Sequence, residues 1–366
     1  MKRSRVLKAL SLAVLVTLSQ SAFHSATADS SALNQARNLI GQGQYYSAAR
    51  YAYSAAETTR GAEQADAYAT VTTALIRAGL YQSSSYFFLK TLETKNKSAI
   101  RKVLGYAEPL MDRLGGDTLR EYLIRYTDYA DYATAGRSAY LFSLGKAALL
   151  KGDENKSIQY LNSVSTTSAL YPRALQLRAT ALAIQGRNEE AMDDFRDCAD
   201  ASRLVVTERD STSARHRQQN RERVDLSQRC LASQARVHYQ AERFEDAERI
   251  YDKIPKDALI WPDILFEQAW NAFSRRDFNR ALGKLVTYKS PMLNSIFNSE
   301  NDVLRAQSFL SLCLYDDVNT VVDQFSADYN ELGREVKRFV EQNDSNLQNF
   351  YALGVQTAQA PFNSKN

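Results

Sequence analysis

The sequence predicts an all-α chain, a solenoid of stacked antiparallel helix pairs, and three observations carry that prediction. Glycine and proline are scarce, at 14 and 6 in 366 residues, and the abundant Ala, Leu, Gln, Arg and Glu favour helix nearly throughout. Apolar residues recur at spacings of three and four, which is one face of a helix. The pattern also repeats with a fixed period. Phe278 and Ala281 have counterparts in Phe244 and Ala247, 34 residues earlier, and Gly186, Asn188, Ala191 and Phe195 follow Gly152, Glu154, Ser157 and Leu161 by the same 34. A period of this length marks a unit that buries its apolar face only against its neighbours.

Residues 1–28 read as a cleaved signal peptide. Lys2, Arg3, Arg5 and Lys8 form a basic start, Ala9 to Leu18 is a short apolar run, and Ala26-Thr27-Ala28 is an A-x-A cleavage site. The run is too short to span a bilayer, and no cysteine precedes Cys198, so no lipid anchor is expected at that site. The mature chain starts near Asp29. The leader holds four basic and no acidic residues, which leaves 42 of each sign in the mature chain. A nucleic-acid binder or a binder of anionic membrane would keep a basic excess; neither is expected, nor is an integral membrane segment. The predicted address is the periplasm.

Residues 29–326 then carry about eight helix pairs, with second helices starting near 45, 81, 118, 154, 188, 244, 278 and 315. The third is the poorest match: Gly115 and Gly116 fall in register, but TLREYLIRY does not. Residues 199–226 interrupt the period, and this charged insertion reads either as two helices extended into a projecting hairpin or as a solvated loop. Residues 327–358, with Tyr329, Leu332, Val336, Phe339 and Val340 at helical spacing, are expected to cap the array, and 359–366 to form a tail. The clearest single module is Ile260 to Met292, which holds both tryptophans. Pro262 suits a helix start, Leu265, Ala269 and Ala272 line one face, and Pro291 ends the second helix.

At these residues the chain resembles the tetratricopeptide repeat family, over about residues 30–330. The resemblance rests on Leu175, Ala179, Leu182, Gly186, Ala191 and Phe195 in one unit, and on Ala235, Phe244, Ala247, Tyr251 and Pro255 in another. It departs where the family's glycine before the second helix is Glu242, Arg276 and Cys313. The resemblance implies a right-handed superhelix whose first helices line a concave groove. Carried over by position, the groove residues would be Phe266, Trp270 and Phe273, with Arg236 and Tyr239 before them and Gln307 after. Further back come Phe142, Lys146 and Gln176. The aromatic trio has two readings, helix-packing core or binding surface, and Arg236 could hold a peptide backbone or carboxylate. Tyr51, Tyr53, Tyr86 and Tyr251 are read as packing between helices.

No catalytic signature appears. The mature chain holds only His216 and His238, with no Cys-x-x-Cys, so no metal and no cofactor is expected. Gly145-Lys146 and Gly283-Lys284 lack the rest of a phosphate loop. The carboxylate pairs Asp193-Asp194 and Asp316-Asp317 read as exposed helix starts. Of the three cysteines, Cys198 and Cys230 flank the insertion and are the candidate disulfide, against the alternative of three small buried apolar residues. The expected role is a non-enzymatic protein–protein interaction scaffold or assembly factor of the bacterial cell envelope. The alternative is a peptidoglycan- or glycan-binding accessory module of a cell-wall enzyme complex.

Overall fold

The structure is a computed structural model that describes residues 31–203, 214–293 and 296–359. The leader at 1–28, the middle of the insertion and residues 360–366 lie outside the described residues. Among the described residues the regular elements are all helical. The chain divides into two compact units, Met1–Asn220 and Arg221–Asn366.

In the first unit the helices come in consecutive packed pairs: α1 (31–41) with α2 (Tyr45–Thr58), and α3 (Gly61–Arg77) with α4 (Tyr81–Glu93). The third pair has a broken first helix. α5 (Lys97–Val103) gives way to a 3₁₀ turn at Leu104–Tyr106, then α6 (Ala107–Leu114), before α7 (Asp117–Tyr126). α8 (Arg137–Leu150) pairs with α9 (Glu154–Asn162), and α10 (Tyr171–Ile184) with α11 (Asn188–Arg203).

Nearly all of the second unit follows the same plan. α12 (Ala214–Gln240) precedes α13 (Phe244–Tyr251), α14 (Trp261–Ser274) pairs with α15 (Phe278–Val286), and α16 (Ser299–Ser311) with α17 (Tyr315–Asn343); α18 (Leu347–Gln359) ends the described chain. Each second helix therefore starts within a residue of the position that the period predicts.

Two local devices make the pairs. The first is the turn between helices. In the second pair, Gly79 N–H donates to the Ile76 carbonyl and Leu80 N–H to that of Leu75, the hydrogen-bond pattern that ends a helix through one left-handed residue. The same two bonds recur around Gly43, Gly152, Gly186, Glu242, Arg276 and Cys313, all at positive φ. The second device is a small, fully buried residue at the fourth position of the second helix: Ala48, Ser84, Ser157, Ala191, Ala247 and Ala281. It lets the helices approach closely, and larger side chains behind it, Phe88, Leu161, Phe195, Tyr251 and Leu285, fill the space between pairs. Where α8 meets α9 the approach is closer still. A Cβ on Gly145 would lie 2.5 Å from Leu161 Cγ.

α7 lacks this signature, with half-buried Arg120 at its fourth position, which explains the weak third repeat. The last pair lacks it too. The segment 327–358 is not a separate cap: α17 runs unbroken from Tyr315 through Asn343, because the sequence there has no proline and only Gly333 to interrupt it. Of α17 and α18 together, only Val321 is buried. Leu332, Val336 and Val340 stand exposed, while Tyr329 is half-buried and meets Phe297 edge to face at 5.6 Å. The insertion begins and ends as helix, with α11 running to Arg203 and α12 beginning at Ala214.

Candidate functional site

The expected groove residues fall into both units. In the second unit, Phe266, Trp270 and Phe273 form one row on α14. Their rings meet edge to face, with centroids 6.5 and 5.7 Å apart, and Phe273 continues the row to Phe278 on α15 at 5.3 Å. All three are half-buried and pack on a core of Ala269, Leu285 and Leu304. The inner edges of the rings are core, and the outer edges remain at the surface.

Arg236 and Tyr239 flank this row, already engaged. The Arg236 guanidinium grips Glu267 with Nη2 at 2.6 Å and Nε at 3.0 and 3.1 Å from its two oxygens, and the Tyr251 hydroxyl donates to the same carboxylate at 2.9 Å. Burial, then the Glu267 charge and hydrogen bond, push the Tyr251 phenol far above its usual value. Arg236 therefore bridges α12 and α14, with the Nε and Nη2 edge of its guanidinium occupied by Glu267 and its side chain 47% exposed. Tyr239 shares a 2.9 Å hydrogen bond with Ser274. Gln307 stands exposed on α16, between exposed Val303 and Leu310.

In the first unit the expected residues do not make a surface. Phe142 is 5% exposed and belongs to the main core, beside Met111; the broken α5–α6 segment brings Met111 over it, which the sequence period did not foretell. Lys146 is ion-paired to Asp117 at 2.7 Å. Gln176 is half-buried on α10. Asp194, expected at an exposed helix start, lies two turns into α11, is buried, and accepts from Nε and Nη2 of Arg178, each at 2.6 Å. Asp316 and Asp317 do sit exposed in the first turn of α17. His238 Nδ1 lies 3.9 Å from Asp246. Cys198 and Cys230 are buried and both disulfide-bonded, while Cys313 is a free, exposed thiol. Among the described residues there is no group of three or more His, Cys, Asp or Glu placed to hold a metal, and no helix long and apolar enough to cross a membrane.

No family model matches the chain, and no curated protein matches it. Solved structures resemble it more loosely. A tetratricopeptide repeat protein from Parabacteroides merdae shares 15% identity over 82% of this chain and 92% of that one, with a TM-score of 0.32. The tetratricopeptide domain of P58(IPK) shares 14% over 88% and 98%, at 0.27. An assembly chaperone of RpL4 (Acl4) shares 12% over 87% and 99%, at 0.32. This chain's own geometry carries the point: a helix pair closed by one left-handed residue and repeated, outside the insertion, at 34- to 37-residue intervals. The fold is tetratricopeptide-like.

A second aromatic group, passed over as packing by the sequence reading, opens in the first of these units. Tyr53 and Glu57 on α2, Tyr68 on α3, and Ser83, Tyr86, Phe87 and Lys90 on α4 line a cleft of about 450 Å³. Tyr53 and Tyr86 are 46% and 57% exposed, unlike Tyr251, which is buried as expected. A signal existed. Tyr53 with Glu57 and Tyr86 with Lys90 are both pairs four residues apart, an aromatic and a charge on one helix face.

Proposed function

We propose that the chain is a non-enzymatic protein-binding scaffold of the bacterial cell envelope, exported to the periplasm through a cleaved leader. It engages a helix or extended segment of a partner protein along α14 and α16. The observation that supports this most is the Phe266–Trp270–Phe273 row. Its rings are held by a core on one edge and reach the surface on the other, and aromatic anchors of that kind supply about 2 kcal/mol or more each when an interface covers them. Neighbouring α16 adds exposed Val303 and Leu310. The envelope destination rests on residues 1–28 alone.

The test is a photo-crosslinking residue at Gln307 in the full-length chain, expressed in its own host. One discrete protein adduct is expected, lost when Trp270→Ala is added. If purified sacculi retain the protein and Trp270→Ala releases it, the glycan-binding alternative replaces this reading.

A further inference from the structure

The cleft between α2, α3 and α4 is a box of rings. Phe87 stands at its centre, with Tyr53 at 5.7 Å and 72° and Tyr86 at 5.1 Å and 87°; Tyr68 lies at 6.1 Å and a shallower 34°. Two walls thus stand nearly perpendicular to the third. The rings are held in place by their helices, and two of them are about half exposed, so the enclosed space is open to a ligand. A volume of about 450 Å³ falls within the roughly 300–1,000 Å³ typical of small-molecule sites.

Charge selects the ligand. Ring faces carry negative potential and attract a cation lying over them. Lys90 already demonstrates this, with its ammonium 5.8 Å from the Tyr86 centroid. That lysine is neutralised by Glu93 at 2.9 Å, and Glu93 also accepts from the Tyr122 hydroxyl at 3.1 Å. Glu57 is exposed at the lining and adds an acid of its own; its charge holds the Tyr53 phenol above its usual pKa. Glu57, Lys90 and Glu93 together leave one net negative charge around the rings. An anion meets both this charge and the ring faces as repulsion. A pyranose stacks on a flat platform, and Tyr53 and Tyr86 both stand steeply to the Phe87 ring rather than extending its plane.

From this geometry we infer that the cleft lined by Tyr53, Tyr68, Tyr86 and Phe87, with Glu57 at its rim, binds a soft, weakly hydrated organic cation, a quaternary ammonium or a guanidinium group. Such ions shed water more readily than a primary ammonium, so the rings can replace their hydration. The site is separate from the α14 row and does not depend on it.

Calorimetric titration of the mature protein with choline and with its neutral isostere 3,3-dimethylbutan-1-ol tests the inference directly. Choline is expected to bind at least about tenfold more tightly than the alcohol. Glu57→Gln and Tyr86→Leu should each weaken choline several-fold, with an unchanged helical spectrum and melting temperature. Nα-acetylarginine amide separates the sources. Tighter binding of the arginine derivative points to a side chain of a partner polypeptide, and tighter binding of choline to a free or lipid-borne ammonium; either order supports the cation site. Equal binding of choline and the alcohol would reduce the cleft to an apolar pocket and overturn the inference. So would binding of an N-acetylglucosamine disaccharide but neither cation, or binding of no probe at all by the folded wild type.

Discussion

The two units build the same turn from different residues. In the first, the left-handed position between helices is Gly43, Gly79, Gly152 or Gly186, at φ between 72 and 78°; in the second it is Glu242, Arg276 or Cys313, at φ between 58 and 62°. The pair of hydrogen bonds around the position is unchanged. A Cβ at Gly43, Gly152 or Gly186 would meet nothing within 4 Å, so space does not demand glycine at those three. What differs is torsional cost, roughly 1–2 kcal/mol for a residue with a Cβ in this region. The path of the chain sets the geometry, and the residue sets only how much strain it carries. The second unit carries that strain three times within its helix pairs, and the first carries it once, at Lys95 between α4 and α5.

The sharpest way to break this comparison is a glycine whose role is space. Gly145→Leu would drive a side chain into Leu161, and a loss of about 3 kcal/mol is expected in chemical denaturation, well above the ~1 kcal/mol of helix propensity it gains. A loss below 1 kcal/mol would mean that α8 and α9 are not as close as described.

Next in size is the first unit's buried carboxylate. Asp131 is 6% exposed; burial raises its pKa, but bonds from Lys97, the Asp128 N–H and Arg101 outweigh that and hold it below the usual carboxylate range. A depressed folded pKa contributes stability above the unfolded value of about 3.9, lost as pH falls through the folded pKa. Asp131→Asn should therefore cost about 2 kcal/mol at pH 7, and the gap to wild type should close below about pH 4. A gap that stays constant down to pH 3 would remove Asp131 from the acid response.

The turns themselves give the smaller effects. Gly79→Ala should lower stability by about 1 kcal/mol. Arg276→Gly, in the reverse sense, should raise it by about 0.5–1 kcal/mol, as relief of the left-handed strain exceeds glycine's added unfolded-state entropy. Melting the three single variants Glu242→Gly, Arg276→Gly and Cys313→Gly and their triple combination checks whether the gains add. Destabilisation by all three would contradict the torsional account of the difference between units.

The same contrast shows what was legible. Six of the eight second-helix starts could be read because a small residue at the fourth position, such as Ala281 or Ser84, repeats where the helices of a pair touch. The departures at Glu242, Arg276 and Cys313 were visible too, though not that all three would adopt glycine's conformation. The third repeat's break could not be read, since Gly105 and Pro109 are each tolerable alone. The state of side chains was the least readable. Arg236 looks free until Glu267, 31 residues on, is brought beside it. Phe142 looks like a groove residue until α6 covers it. Tyr53 and Tyr86 look like packing until the neighbouring helices leave their rings open. Each depends on a contact between pairs, and the period records only contacts within one.

The continuous α17 has a consequence measured in time. Inside a stack each helix is clamped from two sides, so its amides open only when a neighbour moves. Beyond Val321, α17 and α18 bury no residue, and among the described residues only a few half-exposed contacts, such as Tyr329 on Phe297 and Phe339 on Phe350, add to their own turns. Deuterium should sweep into residues 327–359 within seconds and slow abruptly at the turn of α17 that carries Val321. The last helices thus act as the chain's fastest clock, set to whatever comes to rest against them.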